Sequence, residues 1–149
     1  MFSIGWGQEV EWSQVFNPND SSYGKSVQQT NDGGYILIGG SSYIEDNYNH
    51  DENLLLIKTD SEGNEEWSRI FGGEGIDYGR SVQQTNDGGY ILIGRTSYIE
   101  DDYVGWLIKT DSEGNQEWDQ NYGTWGDCFG CWKIIENLDQ TEDGGYILV

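Results

Sequence analysis

Residues 26–40 read Ser-Val-Gln-Gln-Thr-Asn-Asp-Gly-Gly-Tyr-Ile-Leu-Ile-Gly-Gly, and almost the same letters return at residues 81–95. Part of this block, Gln-Thr-x-Asp-Gly-Gly-Tyr-Ile-Leu, occurs a third time at residues 140–148. Successive copies are offset by 55 and then 56 residues. Periods of this length are typical of propellers, solenoids and other repeat arrays. The chain is therefore expected to fold as an array of similar units.

A second block keeps step with the first. Residues 56–67 read Leu-Ile-Lys-Thr-Asp-Ser-Glu-Gly-Asn-Glu-Glu-Trp, and residues 107–118 repeat them with one change. The apolar runs are short and separated by glycine, asparagine and aspartate, and no helical periodicity is sustained. Asn-Asp-Gly-Gly favours a hairpin, which we interpret as a type I′ turn. Each unit is predicted to have four strands. In the first copy they are Gly24 to Thr30, Tyr35 to Gly39, Leu54 to Lys58 and a strand around Trp67, and in the second Gly79 to Thr85, Tyr90 to Gly94, Gly105 to Lys109 and a strand around Trp118.

Four antiparallel strands in about 50 residues are typical of a propeller blade, and a solenoid is the alternative. The predicted fold is all-β, a propeller-like array of about three four-stranded antiparallel blades in a single repeat domain, residues 1–149. Residues 10–16 match residues 65–71, so the sequence starts inside a blade. The predicted parts are a half blade at 1–16, blades at 17–71 and 72–122, and a half blade at 123–149.

Two half blades at opposite ends predict assembly. Open strand edges pair with other chains, and three blades are too few to close a ring, which needs about four to eight. Copies that complete each other's split blade would join head to tail as a ring or a filament. The alternative is that the chain is a fragment of a longer array. The residues predicted at the junction are Val10, Trp12 and Phe16 from one end, and Tyr146, Ile147 and Leu148 from the other.

Charge excludes some partners. Lys and Arg number 7 against 27 Asp and Glu, a net charge of −20 that repels phosphate backbones and anionic lipids. We therefore expect no nucleic-acid partner. No run of 18 apolar residues occurs, so no membrane insertion is expected.

The repeated letters resemble a known class of repeat. Trp-x-x-x-(Phe/Tyr)-Gly, Ser-Val-Gln-Gln-Thr-x-Asp-Gly-Gly-Tyr-Ile and Leu-Ile-Lys-Thr-Asp-x-x-Gly-Asn-x-x-Trp are similar to repeats of secreted and surface proteins of bacteria and archaea, which are thought to form β-propellers. The resemblance covers nearly the whole chain. It implies an extracellular or cell-surface location and a repeat fold, and it brings neither catalytic residues nor a cofactor.

The cysteine pair Cys128 and Cys131 lies where the third unit is longer than the second. A lone Cys-x-x-Cys is compatible with redox activity, half of a metal site or a local disulfide. In an exported protein, a structural disulfide is the favoured interpretation.

Two turns carry oxygen ligands on alternate residues, a pattern seen in calcium-binding loops. The glycine falls at the fourth position rather than the sixth, which favours an ordinary hairpin turn. Calcium is thus the one cofactor that the sequence suggests. The candidate ligands are Asp60, Glu62 and Asn64 in one copy, and Asp111, Glu113 and Asn115 in the next. The acidic segments 45–46 and 100–102 are a second candidate for a cation.

Catalysis has little support in the sequence. The single histidine, His50, lies in an acidic loop, and 27 carboxylates make some close pair unavoidable. We expect a non-enzymatic, self-assembling structural module. The alternatives are a ligand- or glycan-binding module and, third, a glycoside hydrolase. The tyrosines considered for glycan contact are Tyr43, Tyr48, Tyr98 and Tyr103, and Asn19 begins a glycosylation sequon.

Overall fold

The computed structural model describes residues 13–16, 21–43, 51–73, 75–97, 103–122, 138–141 and 143–148. The described residues form ten β-strands and no helix, which confirms the prediction of an all-β fold. The strands are β1 (Ser21–Gln29), β2 (Tyr35–Tyr43), β3 (Asp51–Thr59), β4 (Glu65–Phe71), β5 (Ile76–Gln84), β6 (Tyr90–Ser97), β7 (Tyr103–Thr110), β8 (Gln116–Tyr122), β9 (Leu138–Gln140) and β10 (Tyr146–Leu148).

The strands are grouped as the repeats are. Strands β1 to β4 pair in chain order as an antiparallel meander, here unit 1, and β5 to β8 do the same as unit 2. A single parallel pair, Glu52 with Ile76, joins the two into one mixed sheet of eight strands. Strands β9 and β10 form a separate hairpin, unit 3. The described residues form no closed barrel and no complete propeller ring.

All five hairpin turns of the described chain share one geometry. In the first, Gly33 N donates to Thr30 O and Thr30 N donates to Gly34 O, both at 2.9 Å. This is a three-residue loop in which Gly33 has a φ of 87°, a left-handed conformation that glycine adopts without steric cost. The prediction of a two-residue type I′ turn was therefore wrong. The same pair of bonds closes the turns that begin at Asp60, Thr85, Asp111 and Thr141.

The second and third strands are longer than the apolar letters predicted. Strand β2 continues past its glycines to Tyr43, because Ser41 pairs with Asn53 and Ser42 with Glu52. These polar residues resemble a loop in the sequence, yet backbone pairing does not depend on side-chain polarity. The ladder therefore extends well beyond the Ile-Leu-Ile run.

The core lies between units. Each sheet face carries alternate residues of its strands. We call one face trailing, with Ile36, Ile38 and Leu56 in unit 1 and Ile91, Ile93 and Leu107 in unit 2. We call the other face leading, with Val27, Leu37 and Ile57 in unit 1 and Val82, Leu92 and Ile108 in unit 2.

Packing follows one rule along the chain. The trailing face of unit 1 forms a buried cluster with the leading face of unit 2. The trailing face of unit 2 packs in turn against Leu138 and Tyr146 of unit 3. Burying one such aliphatic side chain contributes roughly 1.5–3 kcal/mol. The units are thus stabilised mainly by their neighbours.

Candidate functional site at the junctions between repeat units

A buried lysine organises unit 1. Lys58 lies on β3 with its side chain almost fully inaccessible. Its Nζ donates to Thr59 O at 2.8 Å and lies 2.8 Å from both Asp32 Oδ2 and Glu66 Oε2. A buried ammonium has three donors to satisfy, and three acceptors meet it. The site therefore ties the first turn of the unit to β3 and β4.

Unit 2 repeats this site. Lys109 Nζ donates to Thr110 O at 2.8 Å and contacts Glu117 Oε2 at 2.9 Å and Asp87 Oδ2 at 3.0 Å. The distances agree with those in unit 1 within 0.2 Å. The lysine site thus belongs to the repeat itself and not to one special place in the molecule.

The surroundings shift the pKa of each turn aspartate in the same direction. Hydrogen bonds from Lys58 and Thr30 lower the pKa of Asp32 to about 2. In unit 2 the Thr85 hydroxyl and Lys109 lower the pKa of Asp87 to about 2. Burial lowers the pKa of Lys58, but its two carboxylate partners outweigh burial and raise it overall. Each pair is therefore fully ionised at neutral pH.

The lysine site explains the second glycine of Asp-Gly-Gly. A Cβ placed on Gly34 would overlap Thr59 O and lie 2.8 Å from Lys58 Nζ. A Cβ on Gly89 would overlap Thr110 O and lie 2.7 Å from Lys109 Nζ. In these motifs the first glycine adopts the positive φ of the turn. The second leaves room for the lysine side chain and for the carbonyl of the threonine that follows the lysine.

Neither lysine was predicted from the sequence as a site residue. A signal was present, because the chain has only seven basic residues and two of them occupy the same position of the Leu-Ile-Lys-Thr block. A rare residue type at a fixed place in an acidic repeat indicates a specific partner.

Contacts between units also repeat. The Trp67 ring of unit 1 lies edge-on to Tyr90 of unit 2, with centroids 5.8 Å apart. Trp118 of unit 2 lies 6.1 Å from Tyr146 of unit 3. Edge-to-face aromatic pairs prefer such separations and contribute roughly 0.5–1.5 kcal/mol beyond the area that they bury. Each unit therefore offers a tryptophan to the tyrosine of the next.

A glutamine joins the same units through hydrogen bonds. Gln84 Oε1 accepts a hydrogen bond from Asn31 N at 2.8 Å. Its counterpart in unit 3, Gln140 Oε1, accepts one from Asn86 N at 3.0 Å. Both bonds link a unit to the turn of the unit before it. The spacing between units is thus fixed by polar and aromatic contacts together.

Unit 1 also contacts the second turn of unit 2, through Arg69 and Trp67. Arg69 Nη2 donates to Glu113 O at 2.8 Å, and the guanidinium lies 5.4 Å from the centre of the Trp67 ring. A Cβ placed on Gly114 would lie 2.7 Å from the Trp67 ring, and Gly114 has a φ of 78°. Glycine is required here both for the turn and for the close approach of the indole.

The end faces differ in exposure from their inner counterparts. Val27, on the leading face of unit 1, is 60% exposed, whereas the equivalent Val82 of unit 2 is 5% exposed. Ile147, at the trailing position of unit 3, is 55% exposed, whereas Ile36 and Ile91 are fully buried. The apolar surface that joins inner units is thus exposed at both ends of the described array.

Residues 13–16 form a short segment that covers part of the leading face of unit 1. Phe16, a predicted junction residue, is half-buried and lines an apolar groove with Leu37, Leu55 and Ile57. By the repeat it corresponds to Phe71, which is buried in the cluster between units 1 and 2. The segment therefore lies where a preceding unit would pack.

The candidate calcium turns are well ordered by their own hydrogen bonds. Asp60 Oδ1 accepts from Glu62 N and Asn64 N at 2.9 Å, and Asp60 Oδ2 accepts from Asn64 Nδ2 at 2.8 Å. Asp111, Glu113 and Asn115 repeat this arrangement. The described residues hold no cluster of three His, Cys, Asp or Glu side chains suited to a metal ion. Calcium at these turns stays a prediction.

Some of the remaining predicted site residues lie in the described strands, and others lie outside the described residues. Tyr146 contacts Trp118, and Ile147 is exposed on β10, which also contains Leu148. Outside the described residues lie Val10, Trp12, Asn19, Tyr48, His50, Tyr98, Cys128, Cys131 and the acidic segments 45–46 and 100–102.

A second groove brings basic residues together in this acidic chain. Tyr23 and Lys25 of β1, Tyr78 and Arg80 of β5, and Arg95 of β6 line it. Burial and a hydrogen bond with Glu52 raise the pKa of Tyr23, so its phenol stays protonated. The groove therefore combines aromatic and basic side chains.

Comparisons with known proteins give no family. A scan against protein-family models finds no match, and a search of curated proteins also finds none. The described residues include no helix long and apolar enough to cross a membrane.

Proposed function

We propose that this chain is a non-enzymatic structural module of the extracellular space or cell surface, built of propeller-like blades, whose copies join head to tail. The exposure of Val27 and Ile147 supports the proposal most directly. Inner units bury the equivalent residues against each other, so the two ends are complementary in the way that neighbouring units are.

In the proposed junction, the strands of one blade come from two copies of the chain. Strands β9 and β10 supply the first two strands of a blade, and residues 1–16 carry letters of a fourth strand. A copy that places β10 beside Phe16 of the next would cover Val27 with Ile147, as Ile36 and Ile38 cover Val82 and Leu92. Val10, Trp12 and Phe16 would then share one blade with Tyr146, Ile147 and Leu148.

Such an interface is heterologous, because two different surfaces meet. It grows as a filament unless the rotation between copies closes a ring, and two copies would make a ring of about six blades. Both outcomes use the same contact between the leading and trailing end faces. The size of the assembly therefore distinguishes a closed ring from a filament, whereas the pairing of the two faces tests whether copies join head to tail.

Two blocking variants test the pairing. Val27→Asp places a charge on the leading end face, and Ile147→Asp places one on the trailing end face. Each variant alone should be monomeric by sedimentation velocity, because one of its surfaces is blocked. An equimolar mixture should form a 1:1 dimer that grows no further, since one intact surface of each kind remains. A mixture that stays monomeric, or variants that assemble like the parent, would refute the proposal.

Ile70→Asp is the matched control. Ile70 is also exposed and apolar, but its counterpart in unit 2 is Asn121, which stays exposed although units 1 and 2 are packed together. The control should assemble as the parent does. Deletion of residues 1–16 should abolish assembly, and a truncated chain that assembles normally would also contradict the proposal.

The basic groove favours ligand binding as a second candidate function. Aromatic and cationic side chains that converge in a groove suit a glycan with acidic sugars. An array of neutral and acidic glycans tests this candidate, with Lys25→Glu as the variant that should lose binding. The absence of saturable binding to any acidic glycan would reject it.

A further inference from the structure

The third Asp-Gly-Gly turn reproduces the aspartate of the lysine site. Thr141 Oγ1 donates to Asp143 Oδ1, and Gly145 N donates to the same oxygen at 3.3 Å. Asp32 accepts the equivalent bonds from Thr30 and Gly34. Among the described residues, however, no lysine or arginine contacts Asp143.

The space beside this turn also differs. At Gly34 and Gly89 a Cβ would meet the lysine Nζ and a threonine carbonyl of the next strand. At Gly145 the nearest atom of the described residues would be Thr141 Oγ1, at 2.9 Å, which belongs to the same hairpin. Among the described residues, therefore, no lysine and no further strand occupies at unit 3 the place that they take in units 1 and 2.

One edge of the neighbouring strand, β10, is open among the described strands. Strands β2 and β6 each pair on one side with the first strand of their unit and on the other with the strand that carries the lysine. Strand β10 pairs with β9 and with no other described strand. An unpaired strand edge accepts an extended segment through its backbone groups.

We propose that the β10 edge together with Asp143 binds an extended strand that carries a lysine, of the Leu-Ile-Lys-Thr type found in units 1 and 2. The backbone of this partner would pair with β10, and its ammonium would lie against Asp143. Charge complementarity favours lysine in the partner strand, because the equivalent carboxylates of units 1 and 2 each pair with a lysine. Asp32 lies 2.8 Å from Lys58 Nζ, and Asp87 lies 3.0 Å from Lys109 Nζ. The thermodynamic reason is that a carboxylate with a hydrogen-bonded ammonium partner is stabilised relative to one that is left unpaired at an interface.

The inference goes beyond the proposed assembly and shares with it only the open edge of β10. Residues 1–20 contain no lysine, so the N-terminal segment of a second copy would leave Asp143 without an ammonium partner. A further repeat of the same type is the occupant that satisfies the site. Its strand should bind the edge more tightly than residues 1–16 do.

A synthetic peptide with the sequence of residues 103–122 provides the test, since it contains β7, its turn and β8. Binding of the labelled peptide to the full chain is followed by fluorescence anisotropy. We expect saturable 1:1 binding, weakened about tenfold or more by Asp143→Asn, the loss typical of one charge-assisted hydrogen bond. A peptide with methionine in place of its lysine should bind about as weakly to the parent chain. The affinity of this methionine peptide should fall little further when Asp143→Asn is introduced into the chain.

Asp139→Asn is the matched control, because it removes the same charge from the same hairpin at an exposed position. It should bind the peptide as the parent does. Equal binding by the two asparagine variants, losses that simply add, or no saturable binding at all would each overturn the inference. Peptide binding does not require assembly, so a monomeric chain that binds the peptide would contradict the proposed function alone. An assembling chain that ignores the peptide would contradict this inference alone.

Discussion

Replacing the buried lysine of unit 1 tests how the repeat is held together. Lys58→Met keeps an unbranched apolar stem in a place that is almost closed to solvent, and it removes the ammonium. Thr59 O loses the donor at 2.8 Å, and two carboxylates lose their counter-charge. An acceptor left without its donor costs about 1–3 kcal/mol when it is buried.

The carboxylates add little to this cost. Asp32 and Glu66 are both largely exposed, so water screens their interaction with Lys58, and exposed ion pairs contribute about 0.2–1 kcal/mol each. Removing the buried ammonium also removes its own desolvation penalty, which acts in the opposite direction. We therefore expect the free energy of unfolding to fall by about 2 kcal/mol, which corresponds to a shift of about 1 M in the urea midpoint.

Urea unfolding followed by tryptophan fluorescence measures this change. Lys25→Met is the control, since Lys25 is exposed on β1 and its loss should change the free energy by less than about 0.5 kcal/mol. A double-mutant cycle of Lys58→Met with Asp32→Asn should show coupling. The reasoning is refuted if the two methionine variants unfold at the same urea concentration, or if the cycle is additive.

Two further predictions follow from the same site. Gly34→Ala should lower the free energy of unfolding by about 1–3 kcal/mol, because its Cβ would overlap the Thr59 carbonyl oxygen. Gly145→Ala should cost less than Gly34→Ala, because its Cβ would meet the Thr141 hydroxyl at 2.9 Å rather than overlap a backbone carbonyl, and equal costs in urea unfolding would contradict the argument. The second prediction concerns acid. The pKa values of Asp32 and Asp87 are lowered to about 2 in the folded chain, so the stability that they contribute is present above about pH 4 and is lost as the pH falls toward 2. The melting temperature should drop over this window, and the drop should be smaller when both aspartates are replaced by asparagine; an equal drop would show that these groups are not responsible.

The repeat was easier to predict from the sequence than the contacts between strands were. Glycine, asparagine and aspartate between short apolar runs identified the hairpins, because turn conformation depends on local residues. The polar ends of β2 and β3, such as Ser42 and Glu52, were missed because their pairing comes from the neighbouring strand. The turn type was wrong for a similar reason: Gly33 has a positive φ and hydrogen-bonds to Thr30 as the third residue of a three-residue loop.

The lysine site was beyond a local reading of the sequence. It joins Asp32 to Lys58, 26 residues away, and then to Glu66. Only the register of β2, β3 and β4 brings these groups together, and a register is a property of paired strands. The junction residues stay a prediction. Val27 was not among them, and it became a candidate only because it is exposed whereas its inner counterpart Val82 is buried.

Sedimentation velocity of the parent chain over a wide range of concentrations, at physiological ionic strength, tests head-to-tail assembly most directly. The account predicts species heavier than the 16.9 kDa chain, either a discrete dimer that marks a closed ring or a series that grows with concentration. A mass of 16.9 kDa at every concentration would contradict it.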